Sequence, residues 1–113
     1  MAIDQGKTTN GLDANIAAAL SYVLGWVTGI VFLVMEPANK FVRFHAMQST
    51  IVFAALSLLT IVLQVIPFLG LLLVVFLVIP ASAILWLLLM FKAYQGERFK
   101  LPIAGDMADQ RVQ

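Results

Sequence analysis

The chain has no cysteine, which excludes a disulfide framework, a thiol nucleophile and any thiolate metal site. Histidine occurs once, at His45, and one His beside one Glu makes a poor metal site. No pair of carboxylates stands at a spacing suited to acid–base work, and there is no glycine-rich phosphate loop. The sequence therefore reads as a non-enzyme with no cofactor and no metal. Charge is scarce too. Asp, Glu, Lys and Arg make up 12% of residues, against about a quarter in ordinary soluble domains. A net charge of +1 is too small to attract nucleic acid.

What is abundant is apolar surface. Of the 113 residues, 62% are hydrophobic, and the mean hydropathy is +0.98. A soluble fold of this length has too high a surface-to-volume ratio to hide that much. Lipid must be part of its solvent, so the bilayer is the first expected partner. The expectation is one transmembrane domain over residues 1–113, with a polar N-terminal segment 1–13 and a cytoplasmic tail 92–113.

The placement of charge divides the chain. Residues 14–35 carry none, and as a helix they rise roughly 33 Å, enough to cross a bilayer core. Residues 46–91 also carry none and hold room for two spans, divided by the helix-breaking string Pro67-Phe68-Leu69-Gly70. The predicted fold class is all-α, an integral membrane bundle of three transmembrane helices at about 14–35, 46–66 and 70–91, the last two forming a tight hairpin. Unbroken apolar runs argue against strands. The first run exceeds a signal-peptide core and has its small residues at the wrong end, so it reads as a retained span. Asp13 or Asn15 is its expected N-cap. Three spans put Lys7 on one side and Lys40, Arg43, Lys92, Arg98, Lys100 and Arg111 on the other. The positive-inside rule then predicts a cytoplasmic C-terminus and an external N-terminus in the plasma membrane.

Within the spans, Ala17, Ser21, Gly25 and Gly29 recur every fourth residue. Small residues permit close backbone approach, so Ser21, Gly25 and Gly29 are expected at a helix contact, either inside the chain or in a homo-oligomer. Ser57, Thr60 and Gln64 add polarity to the second span. Pro80 predicts a kink in the third. Trp86 and Tyr94 suit interfacial anchoring, and Trp26 suits packing on another helix.

The chemically dense segment runs from Glu36 to Ser49. Pro37 suits a first helical turn, with Glu36 at its positive end. On the helix that follows, Asn39, Lys40 and Arg43 share one face, while His45, Gln48 and Ser49 share another. The six polar residues Glu36, Asn39, Lys40, Arg43, His45 and Gln48 are the candidate contacts to a membrane-protein partner or lipid. The competing reading is a basic collar that only fixes helix depth. The functional expectation is an interaction or scaffold module working through residues 36–49. The alternative is an oligomeric, translocon-like conduit for peptides, solutes or ions, although no span carries a continuous polar stripe.

Several strings carry a family resemblance. They are Gly11-Leu12-Asp13-x-Asn15 with Tyr22-x-x-Gly25-Trp26, then the run Asn39 to Ser49, then Lys92-Ala93-Tyr94-Gln95-Gly96-Glu97 and Leu101-Pro102-Ile103-Ala104-Gly105-Asp106. The chain resembles a family of small prokaryotic membrane proteins of unknown function, described as similar to the twenty-kilodalton inner-envelope import (Tic) component of chloroplasts. That resemblance implies a translocon-type relative with four helices, where this chain has room for three. The family's recurring polar positions fall on the six residues just named, without an assigned role.

Overall fold

A computed structural model describes residues 6–8 and 11–111, and every structural statement below concerns these. The expected N-terminal segment and tail include residues 1–5, 9–10 and 112–113, which lie outside them. Five helices are present: α1 Ala14–Leu20, α2 Trp26–Met35, α3 Lys40–Leu63, α4 Leu69–Tyr94 and α5 Ala104–Arg111. The described residues contain no strand beyond a single bridge between Lys7 and Asp13.

Two helices, α3 and α4, are long and apolar enough to cross a membrane. They correspond to the second and third predicted spans and form a hairpin around residues 64–68. The turn is a γ-turn at Pro67-Phe68-Leu69, with Phe68 at φ 65° and the Leu69 N–H donating to the Pro67 carbonyl over 2.6 Å. Gly70 is obligatory here because a Cβ would collide with the Leu63 carbonyl. Pro80, the expected kink position, stands just after a local departure from regular helix. The helix widens to a π-turn over Val74–Val78, with the Ile79 N–H bonded to Val74, just before the proline removes its donor.

The expected first span is not one helix. Residues 21–25 interrupt it, and Gly25 stands at φ 62°, ψ −128°, a conformation that strains any side chain. The packing shows that the two arms run antiparallel. Going inward, Ala14, Ala17 and Ala18 pack with Phe41, Val42, Leu89 and Ala93, Tyr22 meets His45, and Gly25 lies against Phe53. On the way back, Gly29 abuts Ala46 and Thr50, and the Leu33 carbonyl meets Arg43. Residues 14–35 therefore form a re-entrant hairpin that enters and leaves at the same end of α3.

A break inside an apolar environment is tolerated only if its freed carbonyls find donors. Here each does. The Thr28 hydroxyl donates to the Ser21 carbonyl (2.9 Å) and Trp86 Nε1 to the Val23 carbonyl (3.2 Å). The Tyr22 and Gly25 carbonyls keep the backbone N–H groups of Gly25 and Gly29 (3.1 Å each) and gain second donors in Trp86 Nε1 (2.8 Å) and the Ser49 hydroxyl (2.8 Å). Trp86 is thus a latch on the hairpin, where interfacial anchoring was expected.

The re-entrant hairpin also corrects the topology. The N-terminal segment and the C-terminus lie at one end, joined by the Asn15 side chain donating to the Tyr94 carbonyl (2.9 Å) and Asn39 donating to the Lys7 carbonyl (3.3 Å). An external N-terminus opposite the C-terminus is not compatible with this arrangement.

Candidate functional site

The segment 36–49 sits where both hairpin arms, α3 and the tail meet. Glu36 is 2% exposed, and its carboxylate accepts the N–H groups of Ala38 (3.1 Å) and Asn39 (2.8 Å), capping the turn that opens α3. The Asn39 side chain caps α3 by accepting the Val42 N–H at 3.1 Å. Arg43 reaches back to the end of α2, where its Nη1 donates to the carbonyls of Leu33 (2.8 Å) and Glu36 (2.9 Å). Carbonyls at a helix C-terminus favour a cation, so Arg43 fixes where the re-entrant hairpin ends.

His45 and Gln48 are fully buried. His45 Nε2 lies 2.8 Å from the Glu97 carbonyl, which can only accept, and Nδ1 lies 2.7 Å from the Tyr22 hydroxyl. The neutral Nε2–H tautomer satisfies both contacts: Nε2 donates to Glu97, and Nδ1 accepts from Tyr22. The Tyr22 oxygen in turn accepts from Gln48 Nε2 at 2.9 Å. Gln48 also donates to the Phe99 carbonyl and accepts the Leu101 N–H, each at 2.9 Å. Phe41, Phe44 and Tyr22 surround the imidazole edge-on, at centroid distances of 4.7, 5.1 and 5.5 Å. One network therefore ties the hairpin (Tyr22), the long helix (His45, Gln48) and the tail strap at 97–101. No buried side-chain nitrogen or oxygen among the described residues lacks a partner.

The strap begins where Gly96, at φ 83°, ends α4 with the Glu97 N–H bonded to the Lys92 carbonyl (3.0 Å). It ends in a second γ-turn at Pro102-Ile103-Ala104, from which α5 packs Ala108 against Phe44. Gly105 repeats the role of Gly70, since a Cβ there would press on the Lys100 backbone. Asp109 holds the strap to α5 by accepting from Arg98 (3.0 Å) and Lys100 (3.1 Å). The hydrogen bond from Lys100, with the positive charges of Lys100 and Arg98, keeps its carboxyl below the ordinary value of 3.8. Arg98 also lies over the Phe44 ring at 5.1 Å.

Of the six residues expected to face a partner, Glu36, Asn39, Arg43, His45 and Gln48 are thus engaged within the chain. Lys40 is exposed and makes no ion pair among the described residues. The three expected packing residues lie on the re-entrant hairpin: Ser21 is buried and donates to Ala18 (2.6 Å), Gly25 forms the tip, and Gly29 abuts α3. Sequence reasoning passed over Tyr22, Ser49 and Trp86 as functional groups, although each is a hydrogen-bonding side chain inside an apolar run. Asn15 was expected as an N-cap but instead ties α1 to the end of α4. Asp13 occupies the cap position and pairs with Lys7. Among the described residues no group of three or more His, Cys, Asp or Glu is placed to hold a metal ion.

Two long apolar helices with a re-entrant hairpin and all their charge at one end define a small helical membrane protein. The chain belongs to the family described as the magnetosome magnetite crystal formation protein family, which its residues 10–108 match. It is 50% identical to a UPF0132 membrane protein of Methanocaldococcus jannaschii over 98% of this chain and 99% of that one. It is 52% identical to a UPF0132 membrane protein of Archaeoglobus fulgidus over 87% and 94% of the two chains. No solved structure matches. These relatives are archaeal membrane proteins without a named activity, and they lend no support to the similarity with the chloroplast import component.

Proposed function

We propose that the chain is a membrane-embedded interaction module whose charged end faces the cytoplasm and binds an anionic partner, either lipid phosphates or an acidic segment of another membrane protein. The observation that carries this reading is the division of labour at that end. The buried polar groups of residues 36–49 are spent on partners within the chain, in the hairpin, α3 and the tail strap, while Lys40 and Arg111 stay exposed without an ion pair among the described residues. The segment 36–49 then works as a frame that fixes where those cations stand. All seven Lys and Arg lie at this end and none at the 64–68 turn, which supports a cytoplasmic assignment for both termini. Each juxtamembrane cation gains about 1 kcal/mol near an anionic leaflet, so the affinity expected is weak and sensitive to salt.

Native mass spectrometry from nanodiscs with and without phosphatidylglycerol, together with identification of copurifying proteins, tests this. Lys40→Glu with Arg111→Glu should remove bound anionic lipid or partner at unchanged thermal stability. Retention of both in the double variant refutes the reading.

One observation favours the alternative conduit: re-entrant hairpins line pathways in transporters and channels. Here, however, the carbonyls at the break are already bonded to Thr28, Ser49 and Trp86, leaving little for a passing ion. The family description points to mineral formation, but Asp13, Glu97 and Asp109 are paired with Lys7, Lys92 and the Arg98–Lys100 couple, Glu36 is buried as a cap, and Asp106 is the one exposed carboxylate without an ion pair among the described residues. We therefore assign no mineral-binding role.

A further inference from the structure

Three departures from regular helix converge beyond the middle of α3. They are the reversal at Gly25, the π-turn Val74–Val78 and Pro80, which has no N–H to give. π-turns recur at functional sites, and irregular backbone at membrane depth is tolerated where it is packed by protein or lines a cavity. Between them lies a pocket of about 290 Å³ whose lining includes Leu24, Trp26, Phe53, Ser57, Val78 and Ser82. Its rim residues Leu24, Trp26, Ser57 and Ile79 are exposed on the apolar flank, so access is from the lipid. Two hydroxyls set it apart from an ordinary lipid-facing groove. On α3, Thr50 and Thr60 donate to their own helix, to the Ala46 and Leu56 carbonyls at 2.9 Å each. Ser57 and Ser82 make no hydrogen bond to any described residue. Hydrocarbon cannot satisfy a hydroxyl, so an acyl chain is a poor occupant.

We propose that this pocket binds a neutral, lipid-soluble ring bearing carbonyl oxygens, the chemistry of a quinone headgroup. Ser57 and Ser82 supply two O–H donors for acceptor oxygens. Trp26 and Phe53 supply aromatic surface for a flat ring, and residues 46–91 carry no charge that would select an ion. The claim concerns binding alone and is independent of the proposed contact at the charged end.

The test is photolabelling of the full chain in nanodiscs with an azido-quinone, competed by decylubiquinone or by farnesol. Saturable labelling on peptides containing Trp26 or Ser57, displaced by decylubiquinone and at least fivefold less well by farnesol, is the expected result. Ser57→Ala with Ser82→Ala should weaken decylubiquinone competition about tenfold, the worth of one to two hydrogen bonds. Thermal stability should not change, because neither hydroxyl has a partner to lose. Ser82→Phe, which fills the pocket, should abolish the labelling. Label spread without saturation along the apolar flank overturns the proposal, as does competition unaltered by the double alanine variant. Equal competition by farnesol replaces the carbonyl ring with a generic apolar occupant and also overturns it.

Discussion

Replacing Gln48 with leucine isolates the network that closes the charged end. Leucine has similar bulk and adds no polar group, so packing around Tyr22 and Phe99 is largely kept. The Tyr22 hydroxyl keeps His45 Nδ1 as a partner at 2.7 Å. Two groups are orphaned: the Phe99 carbonyl and the Leu101 N–H, each bonded to Gln48 at 2.9 Å. An unsatisfied buried backbone group costs about 1–3 kcal/mol, and these two are partly buried, so about 1–1.5 kcal/mol, near the bottom of the range, applies to each. The sum is about 2–3 kcal/mol, relieved if the strap swings toward interfacial water. Local opening of residues 97–101 should therefore become roughly 30–150-fold more frequent. Hydrogen exchange in detergent reads this directly. The Leu101 amide should exchange faster by about that factor while amides of α3 beyond Val52 keep their protection. Unchanged exchange at Leu101, with unchanged unfolding, would show that Gln48 does not hold the strap and would refute the network argument.

Other outcomes follow from the same geometry. Because the chain lacks cysteine, single cysteines at the exposed positions Lys7, Val65 and Gln110 report sidedness without background: impermeant thiol reagents should reach Lys7→Cys and Gln110→Cys from one face and Val65→Cys from the other, and a Lys7 label shared with Val65 sinks the re-entrant hairpin. Gly29→Ile should cost about 1–3 kcal/mol of thermal stability, because a Cβ there would stand 2.7 Å from the Ala46 carbonyl and 3.0 Å from the Thr50 nitrogen; an unshifted melting temperature in detergent contradicts that packing. Asp109 has a depressed folded-state pKa, so its hold on the strap should be complete above the ordinary value of 3.8 and fade as pH falls further; protease cleavage within residues 95–103 should rise below that pH in the wild type and be pH-independent in Asp109→Asn.

The sequence exposed the α3–α4 hairpin because that signal is local. A long uncharged run with Pro67 and Gly70 at its middle needs no distant residue to explain it. The first run looked equally long and equally apolar, and its length suggested a span. What breaks it is non-local. Gly25 permits the reversal, but the side chains that tie its carbonyls to the rest of the fold, Ser49 and Trp86, lie 24 and 64 residues away from their acceptors. Without those donors, an unbroken helix would be the cheaper structure in lipid. The four-residue repeat Ala17, Ser21, Gly25, Gly29 did report close approach, but not along one face. Ala17 packs beside Leu89 and Ala93 on the inward arm, while Gly29 abuts α3 on the return. The same limit applied at residues 36–49. Residue types showed a dense polar cluster, yet which groups face outward depends on whether the tail folds back, and Gly96 and the Pro102 turn decide that. Charge then gives an independent check on the fold. Three spans leave Lys7 against the other six cations, whereas two spans and a re-entrant hairpin put all seven on one side. The corrected fold therefore meets the positive-inside rule without exception.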